Sequence, residues 1–232
     1  MKHVVNRASQ SSRRLTRARS GNEPQEVLFL TIGLRHIVPL VWRKVVVPAS
    51  FTFHQLHKVI QAVFEWTNSH LYQFDGAGQD LGIPNKEFEL DPKDARRTRL
   101  SDLLKPPLTH FLYRYDFSDN WEHEITIERR ISLPDITHLP ICFDGARAAP
   151  PDDCGGSGGY EELQKALSDP EHPEHEDLTR WMGGVELDPE FFDLADANHS
   201  LRKLRPRVPA GRRRPPAHPP QSRASAWTVG SP

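Results

Sequence analysis

The sequence predicts an α+β protein built on a largely antiparallel β-sheet. Segments with strand character outnumber helical segments in the first two-thirds of the chain, and they do not alternate with helices as a parallel sheet requires. Residues 111–128, FLYRYDFSDNWEHEITIE, show the clearest pattern, because aromatic and β-branched residues alternate with polar ones on both sides of a polar corner. We expect helices packed on one face of the sheet, with a ββαββ, β-grasp-like core and further helices at the C-terminal end.

The first two strands are predicted at residues 27–34 and 37–47, around a turn at Arg35 and His36. Pro39 falls near the start of the second strand, which favours an edge position or a β-bulge there. Pro48 ends that strand.

A helix is predicted directly after Pro48. Thr52 and Gln55 have the spacing of a capping box. The apolar residues that follow recur at helical spacing and should pack on the sheet: Phe53, Leu56, Ile60, Val63 and Phe64. His54 and His57 lie off this face, so both are predicted at the surface.

The middle of the chain contributes short elements around the central hairpin. A third strand is predicted after Trp66, a further short strand within residues 85–99, and a short helix at 100–104 capped by Ser101. In the hairpin, residues 118–120 read as a three-residue loop in which Asn120 takes the left-handed conformation. Helices are then predicted at 160–167 and 178–182, and from Asp188 towards Leu204.

The charge distribution divides the chain into three segments. Residues 1–24 carry six Lys or Arg and one acid, residues 201–232 carry eight and none, and 16 basic and 30 acidic residues remain between them. We predict a disordered basic tail at 1–24, one α+β domain at 25–204, and a disordered Pro- and Arg-rich tail at 205–232. An acidic domain repels nucleic acid, so contact with nucleic acid is expected only through the basic tails.

Cellular location is predicted from what the chain contains and lacks. No run of 18 apolar residues indicates a transmembrane helix, and no apolar leader with a cleavage site begins the chain, so no membrane contact is expected. Two cysteines, Cys142 and Cys154, fit a reducing compartment. We therefore predict a cytoplasmic protein.

The hairpin corner and the loop before the glycine run hold the candidate polar cluster, whose members are Asp116, Asp119, His123, Asp152 and Asp153. Carboxylates and imidazole bind divalent metal ions, and a cysteine favours zinc, so the candidate metal ligands are Asp116, Asp119, His123 and Cys154. The alternative is structural, because strand alternation directs His123 into the core and aspartates commonly bond turn amides. A shared site requires the glycine-rich loop to fold back over the corner.

Three other patterns carry weaker chemical signals. Gly155, Gly156, Gly158 and Gly159 precede a helix as phosphate-binding loops do, but no lysine follows and Glu161 is expected to repel a phosphate from the first turn. The run is therefore predicted as a flexible or tightly turned lead-in. The pair His172 and His175 lies among acids and indicates a solvated surface. The aromatic residues of the strands indicate core packing rather than base stacking.

Four motifs resemble the plasmid pRiA4b ORF-3-like family, and together they run from about residue 27 to residue 204. They are PLVWRKVVVP followed by LHKVIQAVFEW and HLYQF; YRYDFSDNWEHEITIE; CFDGARAAPPDDCGGSGGY; and GGVELDPEFFDLADANHSL. Ser118 stands where the family usually has glycine, and Arg147 lies near a usual acidic position. The resemblance implies an α+β fold and, from labels used for some members, an association with mobile genetic elements.

Three functions remain open from the sequence. The first is an uncharacterised binding or interaction domain, with a protein partner and without catalytic activity or an evident cofactor. The second is a metal-dependent, hydrolase-type enzyme that uses the corner of Asp116, Asp119 and His123 with a divalent ion. The third is an accessory protein of nucleic acid or mobile elements. A serine resolvase is not expected, because neither its nucleophile region nor a helix-turn-helix is recognisable.

Overall fold

The protein is an α+β fold in which eight strands form one sheet. A computed structural model describes residues 23–76, 78–85 and 91–205. The strands are β1 Gln25–Leu34, β2 Val41–Pro48, β3 Tyr72–Gly76, β4 Gln79–Gly82, β5 Lys93–Asp94, β6 His110–Tyr115, β7 Trp121–Leu133 and β8 Ile141–Ala146. The helices are α1 Phe53–Val63, α2 Leu100–Leu103, α3 Gly156–Ser168, α4 His175–Trp181 and α5 Leu194–Arg202. The predicted fold class is confirmed.

The sheet order is β5-β4-β3-β6-β7-β1-β2-β8. Neighbouring strands are antiparallel except β4 and β5, which are parallel at one edge. The predicted ββαββ order is present as β1, β2, α1, β3 and β4. The parallel pair lies at the edge of the sheet rather than at its centre, which departs from the β-grasp arrangement.

The first hairpin differs from the prediction at Pro39. β2 begins at Val41, so Pro39 lies in the connection rather than in a strand. β2 is also an inner strand, because β8 pairs along its other side with a register shift between Lys44 and Val45. No strand was predicted at Ile141–Ala146, which is short and has an irregular polar pattern.

Arg43 on β2 joins several elements in the interior. Its side chain is fully buried and donates hydrogen bonds to the carbonyl oxygens of Val63 (2.8 Å), Ala146 (2.8 Å) and Arg147 (2.9 Å). The guanidinium also lies 3.9 Å from the ring centroid of Phe192. Burial lowers the pKa of the guanidinium to about 10, so the group stays charged at neutral pH. Its N–H groups satisfy carbonyl oxygens at the C-terminal ends of α1 and β8.

The predicted capping box of α1 is present. The Thr52 side chain accepts a hydrogen bond from the Gln55 amide, and the Gln55 side chain accepts one from the Thr52 amide. The predicted apolar face is buried against the sheet. The surface assignment of His57 is wrong: its ring is fully buried, and His54 is half-buried beside Tyr72.

The central hairpin turns over five residues rather than three. β6 ends at Tyr115 and β7 begins at Trp121, so residues 116–120 form the corner. Asn120 has the predicted positive φ (55°), and Asp116 has one as well (53°). Phe117, which the pattern assigns to the buried face of the strand, lies in the turn and is exposed.

Helix starts are the least accurate part of the prediction. α2 begins after Arg99, so Ser101 lies inside the helix. α3 begins at Gly156, so Glu161 lies beyond the first turn. α5 begins only after Asp193, whose side chain accepts hydrogen bonds from two amides of the first turn. A polar side chain caps α5, whereas α3 begins after Gly155, which has a positive φ and no side-chain cap.

The main hydrophobic core lies between the sheet and the helices on one face, and a smaller cluster around Val27 and Leu139 lies on the opposite face, because Val27 and Val46 alternate with core residues along β1 and β2. α5 packs against α1 and β8. Within the described residues no helix is long and apolar enough to cross a membrane. The predicted tails, 1–24 and 205–232, lie outside the described residues apart from 23, 24 and 205.

Candidate functional site

Three loops meet beyond the end of β6: residues 64–71 after α1, the corner 116–120, and residues 147–155 before α3. The amide of Asp116 donates to the carbonyl oxygen of Leu71 (3.0 Å). The Gly155 amide donates to the Asp119 carboxylate (3.1 Å). The glycine-rich loop therefore folds back over the acidic corner, as a shared site requires.

Two further contacts join the third loop to the first. The Asp152 carboxylate accepts hydrogen bonds from the amide (2.8 Å) and hydroxyl (2.6 Å) of Thr67. The indole nitrogen of Trp66 donates to the carbonyl oxygen of Pro150 (2.8 Å). These contacts keep Asp153, the next residue along the chain, facing the first loop.

The loops bring together His70, Asp116 and Asp153. The His70 Nε2 atom lies 3.6 Å from Asp116 Oδ2 and 3.0 Å from Asp153 Oδ1, and one ligand atom from each residue lies within 4.8 Å of the others. The Nε2 atom is buried, yet it forms no aligned hydrogen bond within the described part of the chain. Asp116 is 4% exposed and Asp153 66% exposed, so the cluster opens to solvent on the Asp153 side. These three groups could hold a metal ion.

Asp116 is held in place by its own turn. One carboxylate oxygen accepts from the Ser118 amide (2.9 Å) and from the Ser118 hydroxyl (2.5 Å). Burial acts to raise the pKa of Asp116, but the hydrogen bonds from Ser118 and Asp119 and the proximity of His70 outweigh it and lower the pKa. The carboxylate is therefore ionised at neutral pH, with its second oxygen directed at His70.

His123 does not join this cluster. It lies on the inner face of β7, where the rings of Phe64 and Trp66 meet it edge-on at centroid distances of 4.8 and 5.2 Å. Burial lowers its pKa to about 3, and the nearby backbone carbonyls of Trp121 and Tyr113 oppose the shift without aligned hydrogen bonds in the described structure. The imidazole is a neutral core group, which is the structural alternative of the sequence analysis.

The remaining predicted residues surround the cluster without entering it. Asp119 and Asp152 bond the loops to one another. Cys154 is a free, half-buried cysteine whose pKa burial raises to about 12, so its thiol is protonated at neutral pH. Of the predicted residues, only Asp116 and Asp153 face each other, across His70.

Sequence reasoning missed His70. It lies two residues before β3, whose pairing with β6 matches Tyr72 to Tyr115 and so places His70 beside the hairpin corner. A histidine directly before a strand is a weak signal by itself. Only the β3–β6 register, which joins segments about 40 residues apart, shows its proximity to Asp116.

A buried polar network supports the loop that carries His70. The His57 ring bonds the Tyr113 hydroxyl (2.8 Å) through Nδ1 and the Asn68 side chain through Nε2. The Asn68 amide donates to the Gln61 side chain (2.9 Å), and Asn68 has a positive φ of 59°. Burial lowers the pKa of His57 to about 3, so a neutral imidazole organises this loop from the core.

The histidines of the acidic segment are separated from each other. His172 Nε2 lies 3.2 Å from the Glu162 carboxylate, while His175 Nδ1 bonds the carbonyl oxygen of Ala166 (2.8 Å). Glu162, His172 and Glu174 form a second group that could hold a metal ion, but two of its three members are exposed. Glu162 lies on α3, and His172 and Glu174 lie in the connection between α3 and α4, so this group is outside the three loops.

The fold and site define an α+β protein with helices on one face of an open sheet and a His–Asp–Asp cluster beyond the end of its central hairpin. The family model described as plasmid pRiA4b ORF-3-like protein matches residues 26–196. The chain therefore belongs to the plasmid pRiA4b ORF-3-like family, as the motifs indicate.

Two relatives extend this result. The uncharacterized protein y4hQ of Sinorhizobium fredii is 38% identical over 180 residues, which cover 77% of this chain and 92% of that protein. The crystal structure of MM3350, a protein of unknown function from Methanosarcina mazei, has a TM-score of 0.68 and 36% identity, covering 74% of this chain and 97% of that one. The first relative supports the family and the second supports the fold, and their names state no activity.

Proposed function

We propose that this protein binds one divalent metal ion through His70, Asp116 and Asp153 and uses it in hydrolase-type chemistry. The observation that carries the proposal is the buried His70 Nε2 atom, which faces two carboxylate oxygens without an aligned hydrogen bond in the described structure. Its distances to them, 3.0 and 3.6 Å, suit ligands of one ion, because ligand bonds of about 2 Å allow separations up to about 4 Å.

The donor set suggests which ions would bind. One imidazole and two carboxylates suit zinc, manganese or ferrous iron, and three protein ligands leave positions for water or substrate. Such an ion lowers the pKa of bound water and polarises a carbonyl or phosphoryl oxygen. The exposed side of Asp153 is the route by which a substrate would reach it.

This proposal develops the metal-dependent alternative of the sequence analysis, with His70 as the imidazole ligand. The free thiols of Cys142 and Cys154 support a cytoplasmic setting, where thiols stay reduced. The binding-domain and mobile-element alternatives stay predictions, and each requires a different feature of the chain. A protein partner needs a docking surface, and an accessory role on nucleic acid needs the basic tails.

The first test is metal stoichiometry in the full-length, untagged chain. After loading with zinc or manganese and dialysis, we expect about one equivalent per chain by elemental analysis, together with a raised melting temperature. Less than a tenth of an equivalent of either metal, with no thermal shift, would contradict the proposal.

Variants test which residues hold the ion. His70→Gln and Asp116→Asn should lose the bound metal, whereas His123→Leu should keep it because His123 lies in the core. Asparagine can still accept from Ser118 and adopt a positive φ, so Asp116→Asn should fold, with the free energy of unfolding lower by about 1–2 kcal/mol. If His172→Gln removes the metal and His70→Gln does not, the ion lies in the second group and the assignment is wrong.

A further inference from the structure

A cavity adjoins the His70–Asp116–Asp153 cluster. It lies between α3, α4 and the loop that carries Asp153, and its volume is about 270 Å³. Leu163, Leu178 and Trp181 contribute its apolar wall. Trp181 is 47% exposed, on a helix with no buried residue as described. A large aromatic ring half-exposed on the wall of a small cavity offers a binding face for a ligand.

The charged side chains that line the cavity are all acidic. Asp153, Glu162 and Glu174 line it, and none of its described lining residues is Lys or Arg. Lys165 of α3 pairs with Glu161 (2.8 Å) outside the cavity lining, and His172 Nε2 lies 3.2 Å from the Glu162 carboxylate. The cavity therefore combines an aromatic face with the carboxylates of Asp153, Glu162 and Glu174, a combination that attracts a cation and repels an anion.

Asp153 belongs both to the metal-binding cluster and to the lining of the cavity. Its Oδ1 atom lies 3.0 Å from His70 Nε2, and the same residue lines the cavity. Asp153 has a positive φ of 61°, a conformation that aspartate adopts more readily than most non-glycine residues. A ligand seated against Trp181 would thus have one end directed at the metal-binding cluster.

We propose that this cavity binds a small organic cation, an ammonium group with an apolar substituent, and that esters or amides of such compounds are the substrate class of the metal centre. The apolar substituent packs on Leu163, Leu178 and Trp181, and the ammonium group faces Glu162 and Glu174. The substrate role rests on the proposed metal site. The binding of the cation does not, because only Asp153 is shared.

The test is calorimetric titration of the full-length protein with three compounds of similar size: phenethylammonium, neutral 2-phenylethanol and anionic phenylacetate. We expect phenethylammonium to bind at least about tenfold more tightly than either of the others. Trp181→Ala and Glu174→Gln should each weaken its binding by about fivefold or more. The matched control is Glu161→Gln, because Glu161 pairs with Lys165 outside the cavity lining and should leave the affinity unchanged.

Each outcome decides the cavity and the metal site separately. Equal binding of the alcohol and the ammonium compound, or unchanged binding in Trp181→Ala with a native circular dichroism spectrum, overturns the cation site. The titration is repeated after treatment with EDTA and in His70→Gln. If cation binding persists under these conditions and the wild-type chain also fails to take up metal, the cation site stands. Its substrate role is then overturned together with the metal proposal. Metal binding without cation binding overturns only the cavity proposal.

Discussion

Three histidines show how one residue type takes different roles at different depths. His57 and His123 are fully buried, and burial lowers the pKa of each to about 3. His70 is partly exposed and faces two carboxylates. A buried neutral imidazole costs little while the pH is high, but it opposes folding once the unfolded chain can take up a proton that the folded chain cannot. Of these three histidines, His70 alone has the surroundings of a metal ligand.

His123→Leu should reduce the dependence of the free energy of unfolding on pH in acid. The unfolded state binds a proton near pH 6.5 and the folded state only near pH 3, so wild-type stability falls as the pH decreases between these values. The variant should reduce that slope by at most about 1.4 kcal/mol per pH unit. Its stability at pH 7 should be unchanged or higher, because unpaired buried nitrogens are removed at similar volume.

Urea denaturation at pH 7, 6 and 5 measures this slope. The exposed His110 provides the control, and His110→Gln should keep the wild-type slope. An unchanged slope in His123→Leu would mean that His123 is not a neutral core group.

At the scale of elements, the start of α3 places the third loop over the hairpin corner. Gly155 and Gly156 have φ values of 91° and 71°, which glycine adopts without strain. A Cβ atom at Gly156 would lie 2.5 Å from the carbonyl oxygen of Asp119. The glycine run thus serves close approach of two backbones, which is the tightly turned alternative of the prediction, and this approach keeps Asp153 beside Asp116.

Gly156→Ala and Gly158→Ala form a matched pair that tests this role. Gly156→Ala should lower the free energy of unfolding by about 1–3 kcal/mol, because its Cβ meets backbone at a positive φ. A Cβ at Gly158 meets nothing within 4 Å, so Gly158→Ala should raise stability by about 0.5–1 kcal/mol through helix propensity. Urea denaturation measures both, and equal effects of the two substitutions would show that the close approach is unimportant.

At the scale of the whole molecule, the site and the basic residues lie in different parts of the chain. The helices cover one face of the sheet, and the site lies beyond the end of its central hairpin. The segment between the basic ends has 30 acidic and 16 basic residues, a balance that disfavours binding to a polyanion. Any affinity for nucleic acid should therefore come from the ends of the chain, where the basic residues outnumber the acidic ones.

Replacing Arg212, Arg213 and Arg214 with Gln should weaken or abolish any binding of duplex DNA. Each lost phosphate contact reduces the slope of log K against log salt by about 0.9, so the slope should fall by up to about 3. The control replaces three exposed arginines of the acidic segment that pair with aspartates: Arg96, Arg97 and Arg180. Fluorescence anisotropy at several salt concentrations measures both variants, and a larger loss in the control would place the contact on the core.

Local patterns were sufficient to predict much of the fold. Alternation predicted the central hairpin and the inward direction of His123, and the capping spacing of Thr52 and Gln55 predicted the start of α1. These features depend on residues within one turn or one strand pair, so the sequence contains their cause. The family and the fold class follow from such features and are confirmed.

The site depends on distances along the chain that no local pattern encodes. His70, Asp116 and Asp153 come from three loops and meet because β3 pairs with β6 and because Gly156 lets the third loop approach Asp119. The formation of β8 and the burial of His57 likewise depend on segments that lie far away along the chain. From its sequence alone, the chain is an α+β protein with an acidic corner. Long-range pairing and close backbone contact alone decide that His70, rather than His123, faces that corner.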